Sequence, residues 1–500
     1  MNTRAMRPGT VLAALAMGLV AAPSAAQTNG YVLHCMSARA AGQGCVTRAQ
    51  PALPSSLFRD PAGLAAFDRA MLEVNAAPFL PSITFENAAN TRVDGTRHVY
   101  PLGSVAFVGR PLGDLAWAVG FEPIGGFGSD FQLKHELLSG STGDLIDYES
   151  YFAAAKAGPA VAYELAPGLS VGASASLVYG QIRDFRMPFS MPPSTAKGMA
   201  AIPGLDPAVY GPLFQQFTEL TAYGNSEGFS GFTWAADLGI GYRRASGFAV
   251  SASWAPERAL EVDGGGALID MSAQFGQMMM AMVSARAEAY QEDLGQAQAA
   301  VLDQLAAAGI DPSVGMAAAY EAATTITLPM TAGLGMSVPL TGAWKVSGEA
   351  EWRRWSTAED VMPFRLTGGE NANINLMVNG DPADGSFTYP FPLHWQDTWT
   401  VKLGTEYALG STALRTGFIY GENPVPHNTV FITFPAICTR ALTAGVGWTL
   451  WGFPLDASYV YTSDHEALGP DAGHLLGTEY NQSRTTMNES TFTIGTTLPF

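Results

Sequence analysis

The chain has 500 residues, of which 14% are charged and 11% aromatic, with 55 glycines and a formal charge of −18. Such an excess of acid excludes nucleic acid as a partner, and after residue 26 no apolar run reaches the length of a membrane helix. Low charge with many glycines and aromatics fits strands that turn one face to lipid.

Arg4 and Arg7 precede the apolar run 11–22, and Ser24, Ala25 and Ala26 follow it. This pattern predicts a secretory signal over residues 1–26, with Gln27 as the mature start. Export without a helical span points to the bacterial envelope. Residues 27–68 show no alternation and hold Gly30, Gly42, Gly44, Pro51, Pro54 and Pro61, which predicts a compact, turn-rich segment. In an oxidising compartment Cys35 and Cys45 can close a small disulfide loop or stay as two thiols in a buried plug. Spacing alone does not choose between them.

From residue 69 onward the chain alternates with period two. Leu115, Trp117, Val119 and Phe121 interleave with Ala116, Ala118 and Gly120. Candidate strands lie at 70–85, 98–109, 113–123, 158–165, 168–182, 231–244, 247–260, 325–338, 342–356, 395–409, 411–422, 438–449, 454–466 and 488–500. Their links sort strictly into short and long. The long ones are 124–157, 183–230, 261–324, 357–394, 423–437 and 467–487. Short periplasmic turns against long extracellular loops are the mark of an outer-membrane barrel. The last strand puts Phe492, Ile494, Leu498 and Phe500 on one face and threonines on the other, which suits a closing seam. The expected fold is therefore all-β: a 14-stranded antiparallel transmembrane barrel over residues 69–500. This topology starts the 27–68 segment on the periplasmic side, where it can fold into the lumen as a hatch. Asp237, Lys345, Glu349, Glu351, Lys402, Glu406, Arg415 and Asp456 fall on lumen faces, and charges of both signs predict a paired network that holds it.

Two loops carry an apolar load. Loop 183–230 includes Phe185, Met187, Phe189, Met199, Phe214 and Phe217, and an apolar segment facing water marks a binding surface. Arg183 or Arg186 would partner a carboxylate there. In loop 261–324, Phe275, Met278, Met279 and Met282 fall at helical spacing, which predicts a helical insertion within 267–322. No nucleophile elbow, zinc-helix motif or P-loop occurs, so no enzyme activity, cofactor or metal site is expected. Three functions compete: uptake of hydrophobic molecules, a structural or adhesive barrel whose loops bind a partner, and a barrel-embedded lipid hydrolase. The apolar loops with a hatch favour the first.

The segment 414–426, Leu-Arg-Thr-Gly-Phe-Ile-Tyr-Gly-Glu-Asn-Pro-Val-Pro, resembles a signature of the FadL/TodX family of long-chain fatty acid and hydrocarbon transporters, as does 395–407 before it. Residues 30–34 with 41–44 resemble the family's amino-terminal hatch, and Asp60-Pro61-Ala62 stands where the family usually has Asn-Pro-Ala. The resemblance implies a monomer in outer-membrane lipid and lipopolysaccharide that takes up fatty acids, alkanes or aromatics. It also implies a lateral exit at an inward kink in the third strand, matched here by Pro123, Gly125 and Gly126. Proline removes a ladder donor and glycine permits the bend.

Overall fold

The computed structural model describes residues 28–50, 53–109, 111–140, 143–192, 206–450, 452–463 and 465–500. The predicted signal and Met199 lie outside these residues. Fourteen antiparallel strands close into a barrel among them. They are β1 (Met71–Asn87), β2 (Asn90–Asp94 and Tyr100–Val108), β3 (Leu115–Leu133), β4 (Ile146–Ala166), β5 (Leu169–Met191), β6 (Leu220–Arg243) and β7 (Ala249–Ala255 and Arg258–Asp270). There follow β8 (Ala317–Leu328 and Met330–Pro339), β9 (Trp344–Arg354 and Val361–Thr367), β10 (Phe387–Pro392 and Thr398–Leu409), β11 (Thr412–Gly421), β12 (Arg440–Leu450), β13 (Phe453–Thr462 and His465–Leu468) and β14 (Arg484–Pro499). β14 pairs with β1 from Arg484 opposite Glu86 to Pro499 opposite Met71, and this seam removes the last free edge.

The lower barrel follows the alternation. On β3, Leu115, Trp117, Val119 and Phe121 are exposed outward, while Ala116, Ala118 and Gly120 face in. Large apolar groups meet lipid and small ones leave room for the lumen segment. Above this band the strands run on, further than the alternation predicts. Residues 124–133, 146–157, 183–191 and 220–230 are strand, not loop. The reason is an inversion of polarity. On β5, Leu177 and Tyr179 point out to lipid; past a register shift at Arg183, Phe185 and Met187 point in and Asp184 and Arg186 point out. A stretch whose apolar face changes sides does not read as one strand.

Helices cap the upper end: α1 (Pro207–Phe214), α2 (Ser272–Tyr290), α3 (Leu294–Ala307) and α4 (Ala372–Asn379). The α2–α3 pair lies in the predicted insertion. Asp293 caps α3 by accepting the Gln296 amide while the Gln296 side-chain oxygen accepts the Asp293 amide. Met278 and Met282 of α2 and Val301 and Leu305 of α3 are buried in one apolar cluster. The 423–437 segment does not face outward. It folds down into the lumen, and Val430, Phe431, Ile432 and Phe434 are buried there.

Residues 28–50 and 53–68 fill the lower lumen. Cys35 and Cys45 are disulfide-bonded, with Cα atoms 5.4 Å apart. Glu349 of β9 accepts bonds from Arg48 Nη1 at 2.6 Å, Lys402 Nζ at 2.8 Å, and the backbone amides of Thr47 and Arg48, each at 2.9 Å. Glu351 pairs with Arg48 at 2.7 Å and Arg353 at 2.5 Å. Arg415 spans Glu406 and Asp456. Each of these buried ions has a partner, as burial requires. Backbone also meets backbone: a β-carbon on Gly44 would strike the Leu403 carbonyl. Asp60 Oδ2 accepts the Ala49 amide at 2.8 Å and Ser251 Oγ at 2.9 Å, and Pro61-Ala62 begins a 3-10 turn pressed against Gly172 of β5.

Candidate ligand path

The wall between β2 and β3 is incomplete. Their ladder runs from Val108 opposite Ala118 to Val105 opposite Phe121 and stops there. The strands meet again higher up, where the Thr96 amide donates to the Asp130 carbonyl at 2.8 Å. Between these points β3 bends inward. A register shift falls between Pro123 and Gly125. Val32 of the lumen segment, not β2, stands opposite Gly125, and the Gly126 amide donates to the Tyr31 carbonyl at 3.0 Å. Proline has no amide to give a neighbouring strand, and a side chain at Gly125 would collide with the Tyr31 carbonyl. Pro123, Gly125 and Gly126 therefore sit together at the bend.

A cavity of about 160 Å³ occupies the opening. Its inner wall is Gly30 and Leu33 of the lumen segment, and its outer side is Phe79, Tyr100 and Leu102. Tyr100 and Tyr151 stand at the outer mouth with ring centroids 5.9 Å apart. Phe127 and Phe152 line the inner end, 5.2 Å apart.

From this cavity a chain of rings climbs the lumen. Phe434 stacks on Phe127 at 3.7 Å and lies 6.3 Å from Phe431. Phe431 lies 5.1 Å from Phe391, which meets Phe185 at 6.0 Å and Tyr389 at 5.8 Å. A second cavity of about 40 Å³ sits at the upper end of this chain, bounded by Phe185, Met187, Phe189, Phe364 and Phe391. Apolar side chains line most of the path, while Glu489, which accepts a bond from Thr28 at 3.1 Å, borders the β2–β3 cavity. Such a surface favours transfer of apolar solutes out of water.

The structure divides the residues expected in loop 183–230. Phe185, Met187 and Phe189 share the upper cavity but are held by a strand. Phe214 and Phe217 pack half-buried against the same apolar core, outside that cavity. Arg183 and Arg186 face away from the lumen, because the register shift at Arg183 turns the following residues over. Arg183 lies 4.3 Å over the Tyr151 ring, and Arg186 pairs with Glu149 and Asp184 on the outer surface. Neither is placed to meet a ligand headgroup on the inner path. The expectations from the sequence did not include Phe364, Phe391, Phe431 and Phe434. Val430-Phe431-Ile432 is a signal that could have found two neighbours of the path, since three large apolar residues in a row do not suit an outward loop.

The model of the family described as outer membrane protein transport protein (OMPP1/FadL/TodX) matches residues 19–497. The chain belongs to this family. Among solved structures of similar fold is a Pseudomonas aeruginosa FadL homologue, 13% identical, with a TM-score of 0.65 over 94% of this chain and 100% of that one. The toluene transporter TodX of P. putida is 14% identical, with a TM-score of 0.63 over 95% and 99%. The toluene transporter TbuX of Ralstonia pickettii is 15% identical, with a TM-score of 0.58 over 93% and 98%. At these identities the likeness concerns the fold. No curated protein sequence matches the chain. The FadL/TodX family is one of outer-membrane channels for hydrophobic compounds, and the apolar path described above accords with that membership.

Proposed function

We propose that this protein takes up hydrophobic small molecules passively, as a monomer in the bacterial outer membrane, and releases them sideways through the opening between β2 and β3. The upper cavity captures the ligand, and the ring chain from Phe391 to Phe127 conducts it. The 28–68 segment acts as a hatch that denies it the straight route down. An apolar solute gains nothing by entering a charged lower lumen, whereas a gap in the wall delivers it to lipid with no energy source. The observation that carries the reading is the missing ladder above Val105 and Phe121 with an apolar cavity in its place. TodX and TbuX are toluene transporters by name, so both monoaromatic hydrocarbons and long-chain fatty acids belong in the test.

The test is to replace Pro123, Gly125 and Gly126 with β-branched residues. The variant should insert and bind ligand at its surface, while uptake of labelled fatty acid or toluene by cells falls at least about tenfold, the ratio that about 1.4 kcal/mol represents. Wild-type uptake by a folded variant would place the exit elsewhere.

A further inference from the structure

The wall has a second interruption, between β6 and β7. Their lower ladder ends at Trp254 opposite Leu238, and the upper one starts at Asp263 opposite Ser230. Between them β7 is broken at Pro256, which has no amide to donate. Above the break it steps inward: a β-carbon on Gly231 would meet the Glu261 carbonyl, and Leu260 packs on Gly180 of β5. A cavity of about 100 Å³ lies at this level. Its rim is Ala235 and Ala236 of β6 with Trp254 and Pro256 of β7, and its floor is Arg48 and Arg59 of the lumen segment.

This opening is not a copy of the first. Arg48, Arg59, Lys156, Arg258 and Arg353 line it, against three acids, Glu122, Asp237 and Glu351. The acids are already engaged. Arg59 holds Glu122 at 2.7 Å, Ser174 holds Asp237 at 2.8 Å, and Arg48 and Arg353 hold Glu351. Two cations have donors to spare. The Nε atoms of Arg258 and of Arg353 are buried without an acceptor, and Arg353 is only 3% exposed. A buried guanidinium donor without a partner is costly and calls for an oxyanion. Outside, the setting is lipid. Trp234 of β6 and Trp254 of β7 are 55% and 43% exposed on the outward apolar band, and the Arg258 guanidinium lies 3.7 Å over the Trp234 ring.

We propose that this second opening binds anionic amphiphiles, with the acid group taken by Arg258 and Arg353 in the cavity and the tail leaving past Trp234 and Trp254 into the outer leaflet. A carboxylate of a diffusing alkyl acid and a phosphate of a membrane lipid offer the same oxygen chemistry. A neutral hydrocarbon offers none and has no reason to displace the charges. The cavity also reaches Val32, Glu122 and Ile124 at the β3 bend, but its opening lies between β6 and β7 and does not depend on the β2–β3 exit.

The test uses the whole protein in phosphatidylcholine vesicles and three photoreactive diazirine probes of equal chain length: an alkyl carboxylic acid, the matching alcohol and a phosphatidate. Crosslinks are mapped by mass spectrometry. The acid or the phosphatidate should label residues 235–237 and 254–258 about tenfold more than the alcohol does, the scale of one charge-assisted hydrogen bond. Excess labelling by the free acid assigns the site to a diffusing ligand, and excess by phosphatidate alone assigns it to a lipid. The alcohol should still label the β2–β3 cavity, which reads the lateral exit separately. Arg258→Gln should abolish the excess and leave β2–β3 labelling unchanged. Equal labelling by all three probes, or an excess that survives Arg258→Gln, overturns the proposal.

Discussion

The lower and upper halves of one lumen are built from opposite materials. Below, the 28–68 segment is fixed by buried ions and by glycines that let backbone touch backbone. Above, Phe, Tyr, Met and Trp side chains pack with scarcely a charge among them. An ion pair out of water has one good geometry and resists displacement, because a lone buried charge is costly. An apolar contact is non-directional, and another apolar group can take its place. The lower half is thereby suited to stay shut and the upper half to let an apolar guest pass. The two wall openings repeat the contrast: the apolar one lies where the ring chain ends, and the charged one opens onto the ionic floor.

The hardest blow to the lower half is Glu349→Ala. It leaves Arg48 and Lys402 buried without their shared carboxylate. A loss of about 3–5 kcal/mol follows from breaking such a network on one side. Unfolding of the detergent-purified protein in guanidinium reads the loss, and vesicle leakage of a small polar solute reads the loosened plug. If both stay at wild-type values, the ion network does not hold the segment.

The sequence announced these halves unequally. The lipid-facing band was legible because residues such as Leu115 to Phe121 contrast sharply with their neighbours, and its strand count needs only that contrast. The lumen charges were legible for the same reason, since Glu349, Glu351 and Lys402 interrupt apolar strands. The upper half was not. There the inward face is apolar and the outward face charged, so the alternation flips at Arg183 and the strand reads as a loop. Phe431 and Phe434 reach the path by the fold of a long connection, which no periodicity encodes. Pro256 and Pro329 stood in plain view inside two candidate strands, and each marks a break.

A smaller effect is expected in the cap that joins 134–145 to 469–483. Burial pushes the Glu479 carboxyl up to about 8, with the nearby Glu219 charge adding to the rise and the bond from Tyr148 opposing it. His135 lies 3.6 Å away, and burial lowers both it and His474 to about 4, so in the fold both stay neutral while in the unfolded chain they take up protons below about 6.5. Unfolded, the Glu479 carboxyl titrates near 4.5. Below about 6.5 proton uptake by the two histidines in the unfolded chain opposes the Glu479 contribution, and above it both are neutral in either state. Between about 6.5 and 8 only the folded Glu479 keeps its proton and neither histidine opposes it, so stability falls as pH rises, by at most about 1.4 kcal/mol per unit. Above 8 the slope vanishes. Hydrogen exchange over 469–483 at several pH values should show this fall, and Glu479→Gln should flatten it. An equal slope in that variant would assign the effect to another group.

The smallest change in stability sharpens the comparison most. Phe434→Leu replaces one apolar group by another of similar bulk within the ring chain. Such swaps in a core usually cost less than about 1.5 kcal/mol, so thermal stability should barely move. Transport should respond, because Phe434 covers Phe127 at 3.7 Å where the path meets the β2–β3 cavity. A planar ring offers offset and edge contacts to another ring, worth about 0.5–1.5 kcal/mol beyond area, and leucine offers none. Uptake of toluene should therefore fall several-fold relative to uptake of a long-chain fatty acid, measured in the same cells. A stable variant whose toluene-to-fatty-acid ratio equals that of the wild type would mean that ligand does not pass this ring. The upper half would then be a packed core like the lower one, built of softer material.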